Sequence, residues 1–475
     1  MNGNAFSTIA LLGWVPLVMV VFMALPPRRA VIGTFVAGWL FLPTGSFPLP
    51  GYPDYSKLTA TGLGILLAIL IFDFPRLLRT RPALDQFPRF LRLRPHWLDL
   101  PMAVFCFSPV VSSLTNGLGA YDAASAFVST FLAWGLPYCI GRLYFTDTQS
   151  LRELAIGMVV GAILYAPLCW FEIRFSPQLS NYLYGIVPDR FDQAARGHLW
   201  RPVVFMEHGL MVGMWMASGT LLSFWLWRAR QLPRFLGVAP GAWVAILTVT
   251  TFACRSYGAI ALLLLGMATL TLRWRWVLLA VLLISPIYMG IRAHDWGKRE
   301  LLSAVAQAGV GAERLQSLQF RLDNESQLVA KAWQRPVFGW GRWGRSHVFD
   351  DQGRDVSVLD GLWIIVFGEQ GLVGLATLWV FFSVPALRML RRLPARRWNT
   401  STAAGYAVFA LLLALSMIDN LLNAMLNPVL LIALGATTLV PHVAESRRSR
   451  PATASPAAPT SEPPPEGDDL VILLP

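Results

Sequence analysis

The chain has 475 residues, 55% hydrophobic and only 14% charged, with mean hydropathy +0.52 and a formal net charge of +12. Soluble domains carry more charge than this, and the repeated apolar runs of 17 to 22 residues predict an all-α, polytopic transmembrane helical bundle. Lysine occurs only at Lys57, Lys298 and Lys331, so the basic excess is arginine; it fits loops on the cytoplasmic side of a membrane better than a nucleic-acid partner.

In chain order, about thirteen spans are predicted near 6–25, 29–43, 56–74, 97–113, 125–143, 152–171, 205–227, 238–254, 257–272, 275–292, 358–383, 401–418 and 422–440. The start, Met1 to Thr8, lacks a basic leader region, so the first run is expected to stay as a span. Arginine clusters follow the odd-numbered spans only: Arg28 and Arg29; Arg76 through Arg94; Arg228, Arg230 and Arg234; Arg273 and Arg275; Arg388 through Arg397; and Arg447 through Arg450. That asymmetry predicts an N-terminus outside and a C-terminus inside. The loops 172–204 and 293–357 lie on the opposite side and balance their charges, four basic against three acidic and nine against eight. Loops of that length usually carry function. One membrane domain is therefore expected over 1–445, and a Pro-, Ala- and Ser-rich disordered tail on the cytoplasmic side over 446–475. Cys106, Cys139, Cys169 and Cys254 show no metal or redox spacing and are read as packing residues.

The candidate chemistry lies in the longer loop. Residues 312–334 place Leu315, Leu318, Leu322, Val329 and Trp333 at the spacing of an amphipathic helix on a membrane surface. Arg314 and Arg321 share one of its faces, with Glu325 one turn beyond. On charge pattern alone an ordinary surface helix with a weak ion pair is favoured over a cationic face turned toward an anionic lipid-linked substrate. Pro336 then ends the helix. Gly339, Gly341 and Gly344 allow close approach of a ligand, and Arg342 and Arg345 suit phosphate oxygens. Trp340 and Trp343 suit either sugar stacking or interface anchoring. Near the end of the chain, Asn420, Asn423 and Asn427 recur at helical spacing beside Asp419. Such groups line a cavity or bind neighbouring helices.

The stretch "LVAKAWQRPVFGWGRWGRS" followed by "LDGLWIIVFGEQGLVGL" resembles the signature region of the bacterial O-antigen polymerase and O-antigen ligase family, which are integral membrane glycosyltransferases. Arg321, Pro336, Gly339, Gly341, Glu369, Gly371 and Gly374 match the family pattern. "RPVVFMEHGLMVG" and "FACRSYGAIALLLLG" are weaker echoes, and the second places Arg255 on the family's matching arginine. The resemblance covers residues 200–375. It implies a donor glycan on undecaprenyl pyrophosphate, a sugar hydroxyl as acceptor, no cofactor and no metal. It also implies a bacterial inner-membrane location with the active face periplasmic, and a flippase and a chain-length regulator as pathway partners. On this resemblance Arg255 and Arg321 would stabilise the departing pyrophosphate, with Arg342, Arg345 and Arg201 next.

One departure stands out. The family's histidine and asparagine fall on Asp360 and Gly361. A carboxylate has an ordinary pKa of roughly 4 and needs burial to serve as a base at neutral pH; Asp360 equally suits a helix N-cap. His347 and His208 are the substitutes. The missing pair tilts the expectation to a polymerase over a ligase. A transporter or a non-catalytic scaffold is the more distant alternative.

Overall fold

The computed structural model describes residues 3–49, 54–73, 95–187, 191–196, 199–307, 309 and 311–439. The chain divides into Met1–Pro441 and His442–Pro475, and every described residue belongs to the first unit. The tail from 446 and the arginine cluster 76–94 lie outside the described residues.

Among the described residues the regular structure is helical, apart from a ribbon of two two-residue strands, β1 (Ala195–Arg196) and β2 (Leu199–Trp200). Helices α1 (Ala5–Ala24) and α2 (Pro27–Phe41) open the chain, and α3 (Lys57–Ala68) runs into a π turn at Ile69–Asp73. Next come α4 (Leu100–Thr115), α5 (Gly119–Thr130) joined through a π turn to α6 (Leu136–Tyr144), α7 (Thr148–Phe175) and the short α8 (Leu179–Tyr184). After the ribbon follow α9 (Gly209–Arg228), α10 (Pro240–Ala253), α11 (Tyr257–Leu272) and α12 (Arg275–Ala293). The long loop contains α13 (Lys298–Gln307) and α14 (Ala312–Ala332). The chain returns through α15 (Leu362–Arg392), α16 (Ala404–Leu422) and α17 (Pro428–Thr437).

The predicted spans fall on helices over the described residues, with 125–143 running through the end of α5, the π turn and α6, and 422–440 starting on the last residue of α16 and covering α17. Eight described helices are long and apolar enough to cross a membrane, and α10, α11 and α17 are shorter apolar helices. The predicted spans at 29–43 and 56–74 fall on α2 and α3, of 15 and 12 residues. Helix α9 starts at Gly209 rather than at 205 because His208 caps it, its Nδ1 accepting the Leu210 N–H at 3.1 Å. A free backbone N–H at a helix start needs such an acceptor.

Burial sorts the helices into layers. Helices α9 and α16 are apolar on every side and buried over 89% and 83% of their spanning windows, as interior helices of a membrane bundle are. Helix α1 is the opposite, with 22% of its window buried and Ile9, Leu12, Val20 and Met23 exposed. Helix α12 likewise exposes Leu283, Ile284 and Ile287. An apolar surface this continuous is costly in water and suits lipid.

Contacts between helix ends define two ends of the bundle. At one end Arg28 pairs with Asp147 at 2.6 Å, Arg152 donates to the Gln231 carbonyl at 2.8 Å, and the Trp225 indole donates to the Trp398 carbonyl at 3.0 Å. This basic end also gathers Arg228, Arg230, Arg273, Arg275, Arg391 and Arg392. At the other end the Asn4 N–H donates to the Tyr184 carbonyl at 2.8 Å, so the chain start meets the first long loop. The second long loop, α13 and α14 lie at this loop end, where α12 finishes and α15 begins.

Candidate functional site

Gly371 interrupts α15. Its φ of 66° and ψ of −161° lie in a region open only to glycine. The break frees backbone groups, and the loop after α14 pairs with them. Leu372 N–H donates to the Pro336 carbonyl at 2.7 Å and Val373 N–H to the Val337 carbonyl at 3.2 Å. In return Trp340 N–H donates to the Gly368 carbonyl at 2.8 Å and Gly341 N–H to the Glu369 carbonyl at 3.0 Å. Helix α4 completes the joint: Ser112 donates to the Glu369 carbonyl at 3.1 Å, and the Asn116 amide to the Gly339 carbonyl at 2.9 Å. The sequence alone offers Gly339 for close approach of a ligand. Here the molecule's own helix makes that approach: a Cβ on Gly339 would lie 2.5 Å from the Glu369 carbonyl carbon.

Helix α14 is held by one carboxylate. Glu325 Oε2 accepts from Arg292 Nε at 2.9 Å, Oε1 accepts from the Trp363 indole at 2.7 Å, and the Tyr288 hydroxyl donates to both oxygens at 3.2 and 3.1 Å. Arg292, 2% exposed, spends its other N–H groups on Asp295, Trp296, Leu322 and Ser326. Burial pushes the Glu325 carboxyl above its ordinary value, against the pull of Arg292 beside it. The sequence pattern paired Glu325 with Arg321, one turn away; its observed partner is Arg292 at the end of α12. Because α14 packs on α12 and α15, with Leu322, Leu328, Val329 and Ala332 buried, it is a fixed part of the bundle end. All three side-chain partners of Glu325 donate. Glu325→Gln sets an amide donor against them and should cost about 1–3 kcal/mol, read as a lower thermal unfolding midpoint of the purified protein in detergent.

On the next turn Arg321 Nε lies 3.4 Å from Asp360 Oδ2, and its Nη1 lies 3.4 Å from the Leu422 carbonyl that ends α16. Both side chains are about one-third exposed, at 33% and 32%. They border a cleft of ≈ 310 Å³ with Tyr288, Leu322, Ile364 and Leu421. Asp360 does not cap α15. The cap position belongs to Gly361, whose side-chain-free backbone packs against the Leu421 carbonyl. The cleft therefore holds one permanent cation in a loose, single-contact pair. An incoming oxyanion can replace Asp360 as the partner of Arg321 without dismantling the fold.

The other predicted residues fall elsewhere. Arg345 pairs with Asp122 of α5 through two nitrogens at 3.2 and 3.3 Å, and Arg342 donates to Thr130 at 3.2 Å. Both lie toward α5 and outside the lining of the Arg321 cleft. The Trp340 indole donates to the Lys331 carbonyl at 2.8 Å under the Lys331 ammonium, so it fastens the end of α14. Trp343 is 54% exposed. His347 Nδ1 lies 2.5 Å from Asp355 Oδ2 in a surface hairpin, where the Ser357 hydroxyl and His347 hold the Asp355 carboxyl at about 2.

Arg201 and Arg255 meet at the start of α9 and α11, Arg201 Nη2 donating to the Arg255 carbonyl at 3.3 Å. Arg255 adopts φ 52° in the turn between α10 and α11. Neither lines the Arg321 cleft, and nor does His208. Asn420 lines a separate cleft of ≈ 500 Å³ with Asp419, Ser416, Trp215 and Met211, while Asn423 donates to Asp419 at 2.9 Å. Helix α16 joins the two clefts, with Asn420 on one and Leu421 and Leu422 on the other. The predicted arginines thus fall into three groups at the loop end, and Arg321 with Asp360 borders a cleft. The sequence pattern does not single out Arg292, Tyr288 and Trp363. Their only signal was polar atoms at the ends of apolar runs.

Fold and site together define a predominantly helical chain with, among the described residues, eight helices of membrane-crossing length and a charged cleft at the end that carries the long loops. The chain matches no protein-family model and no curated protein.

Proposed function

We propose that this chain is a multi-pass membrane glycosyltransferase that joins oligosaccharide repeat units carried on undecaprenyl pyrophosphate. The loop end faces the periplasm of a bacterial inner membrane, and the basic end and the C-terminus face the cytoplasm. The observation that carries this reading is the Arg321–Asp360 pair, exposed at a cleft within the segment that resembles the polymerase and ligase family. The acceptor hydroxyl oxygen attacks the anomeric carbon, the bond from that carbon to the pyrophosphate oxygen breaks, and the lipid pyrophosphate leaves. Arg321 stabilises the departing negative charge, and Asp360, released from Arg321 by the phosphate, takes the hydroxyl proton. Arg201 and Arg255 are the second cationic group available to the lipid pyrophosphate.

Asp360 and Gly361, where the family carries His-Asn, favour a polymerase over the ligase that moves glycan onto lipid A-core. A transporter would use a broken helix to open a path across the membrane. The break in α15 is instead filled by residues 336–341. Deleting the gene should leave cells with single lipid-linked repeat units. Accumulation of long lipid-linked chains, with only their surface attachment lost, would replace the polymerase with the ligase.

A further inference from the structure

The end of α15 and its connection to α16 carry Arg388, Arg391, Arg392, Arg396 and Arg397, and no acidic residue occurs between Glu369 and Asp419. None of the five guanidinium groups has a hydrogen bond or an ion pair among the described residues. Arg388 is half-buried, and its Nε is covered without an acceptor. Arg391 and Arg392 follow three and four residues later, so the three share one side of the helix. Arg388 and Arg392 both lie within electrostatic reach of Tyr406 on α16, whose hydroxyl is committed to the Pro385 carbonyl at 3.0 Å. Like charges one turn apart repel, and a partly desolvated cation needs a counter-charge.

The protein's own carboxylates do not supply it. Among the described residues those at the basic end are Asp73, Asp99, Asp147 and Glu153, and they already accept from Tyr144, Arg142, Arg28 and Gln149 respectively. The patch lies at the level of a membrane surface. The Arg275 guanidinium donates to the Leu390 carbonyl, which sets the start of α12 level with the end of α15. At that start Trp274 and Trp276 are 54% and 82% exposed. The 3-10 turn Trp97–Asp99 packs on α15 as well, and Trp97 is exposed. Exposed tryptophans at one level mark the head-group region of a bilayer. A phosphodiester at that level matches guanidinium groups in charge and in geometry. Helix α4, which packs on α15, exposes Leu100 and Phe107, an apolar flank for acyl chains.

We propose that the arginines at the end of α15 hold the phosphate of an anionic phospholipid from the leaflet at the basic end, with Arg388 and Arg392 as its principal contacts. The flanking tryptophans and the apolar side of α4 favour a lipid over an acidic protein segment as the occupant. The inference does not rest on the glycosyl-transfer reading, and the patch lies at the opposite end of the bundle from the Arg321 cleft.

The test uses the full chain in detergent, with phosphatidylglycerol and phosphatidylcholine as probes at equal concentration, read by native mass spectrometry. The wild-type chain should retain phosphatidylglycerol in preference to phosphatidylcholine. An arginine beside an anionic head group contributes about fivefold in affinity. Arg388→Gln combined with Arg392→Gln should therefore weaken phosphatidylglycerol retention roughly 25-fold and leave phosphatidylcholine unchanged. Arg391→Gln with Arg396→Gln alters two exposed side chains and should weaken retention at least about fivefold, which keeps the test open if the first pair does not fold. Arg228→Gln with Arg230→Gln removes the same charge from the same end but outside the patch, and should change retention less than about threefold. No preference for phosphatidylglycerol by the wild-type chain, or losses from the α15 variants no larger than from the Arg228 and Arg230 pair, overturns the proposal.

Discussion

Gly371→Ala should unfold the loop end of the bundle, with a loss of roughly 3–5 kcal/mol. Two independent costs add. The backbone at φ 66° and ψ −161° is closed to a residue with a Cβ. The new methyl would also overlap the Val337 carbonyl and crowd the Pro336 oxygen. Those atoms are backbone and cannot swing aside. They accept the Leu372 and Val373 N–H groups, so moving them breaks the joint that ties the loop to α15. Gly353→Ala is the matched control, because its φ of 75° is also positive and nothing lies within 4 Å of its added Cβ. It should cost roughly 1–2 kcal/mol from conformation alone. Thermal unfolding of the two purified variants in detergent compares them directly. Equal midpoints would mean that the interlocked loop contributes nothing beyond backbone conformation.

The helices were legible because an apolar environment demands them: every backbone group in lipid must be paired within its own segment. Even short α17 was visible as an apolar run. The joint at Gly371 was only half legible. The glycines at 339, 341 and 371 announced unusual backbone, but composition does not say whether a ligand or another helix comes close to it. Tertiary structure decided for the helix. Glu325 shows the same limit more sharply. The rule for residues one turn apart offered Arg321, yet the pairing went to Arg292, 33 residues earlier in the chain. A local rule sees neighbours on one helix, and a desolvated carboxylate takes the partner that packing brings. Arg321, freed from Glu325, is thereby available to Asp360 and the cleft. The sequence offers Arg321 and Asp360 as separate candidates but not their contact, because a stretch of helix and loop separates them.

Arg321→Ala should lower polymer formation roughly 10²–10³-fold, the usual loss when a preorganised group that stabilises developing negative charge is removed. Stability should change by less than about 1 kcal/mol, since the pair with Asp360 is partly exposed and single-contact. That split separates Arg321 from Glu325, which holds the helix and moves stability first. Arg321→Lys keeps the charge but loses the planar fork, so an intermediate loss is expected. Asp360→Asn then divides two roles. If Asp360 accepts the acceptor proton, its variant falls as far as Arg321→Ala. If Asp360 only holds Arg321 in place, Asp360→Asn frees the guanidinium, and turnover stays within a few-fold. Reconstituted protein supplied with lipid-linked repeat units gives both numbers on one gel. A folded Arg321→Ala protein that polymerises at the wild-type rate would remove the cleft from the mechanism and move attention to Arg201 and Arg255. The Arg201 side chain donates to the Arg255 backbone carbonyl at the same end of the bundle.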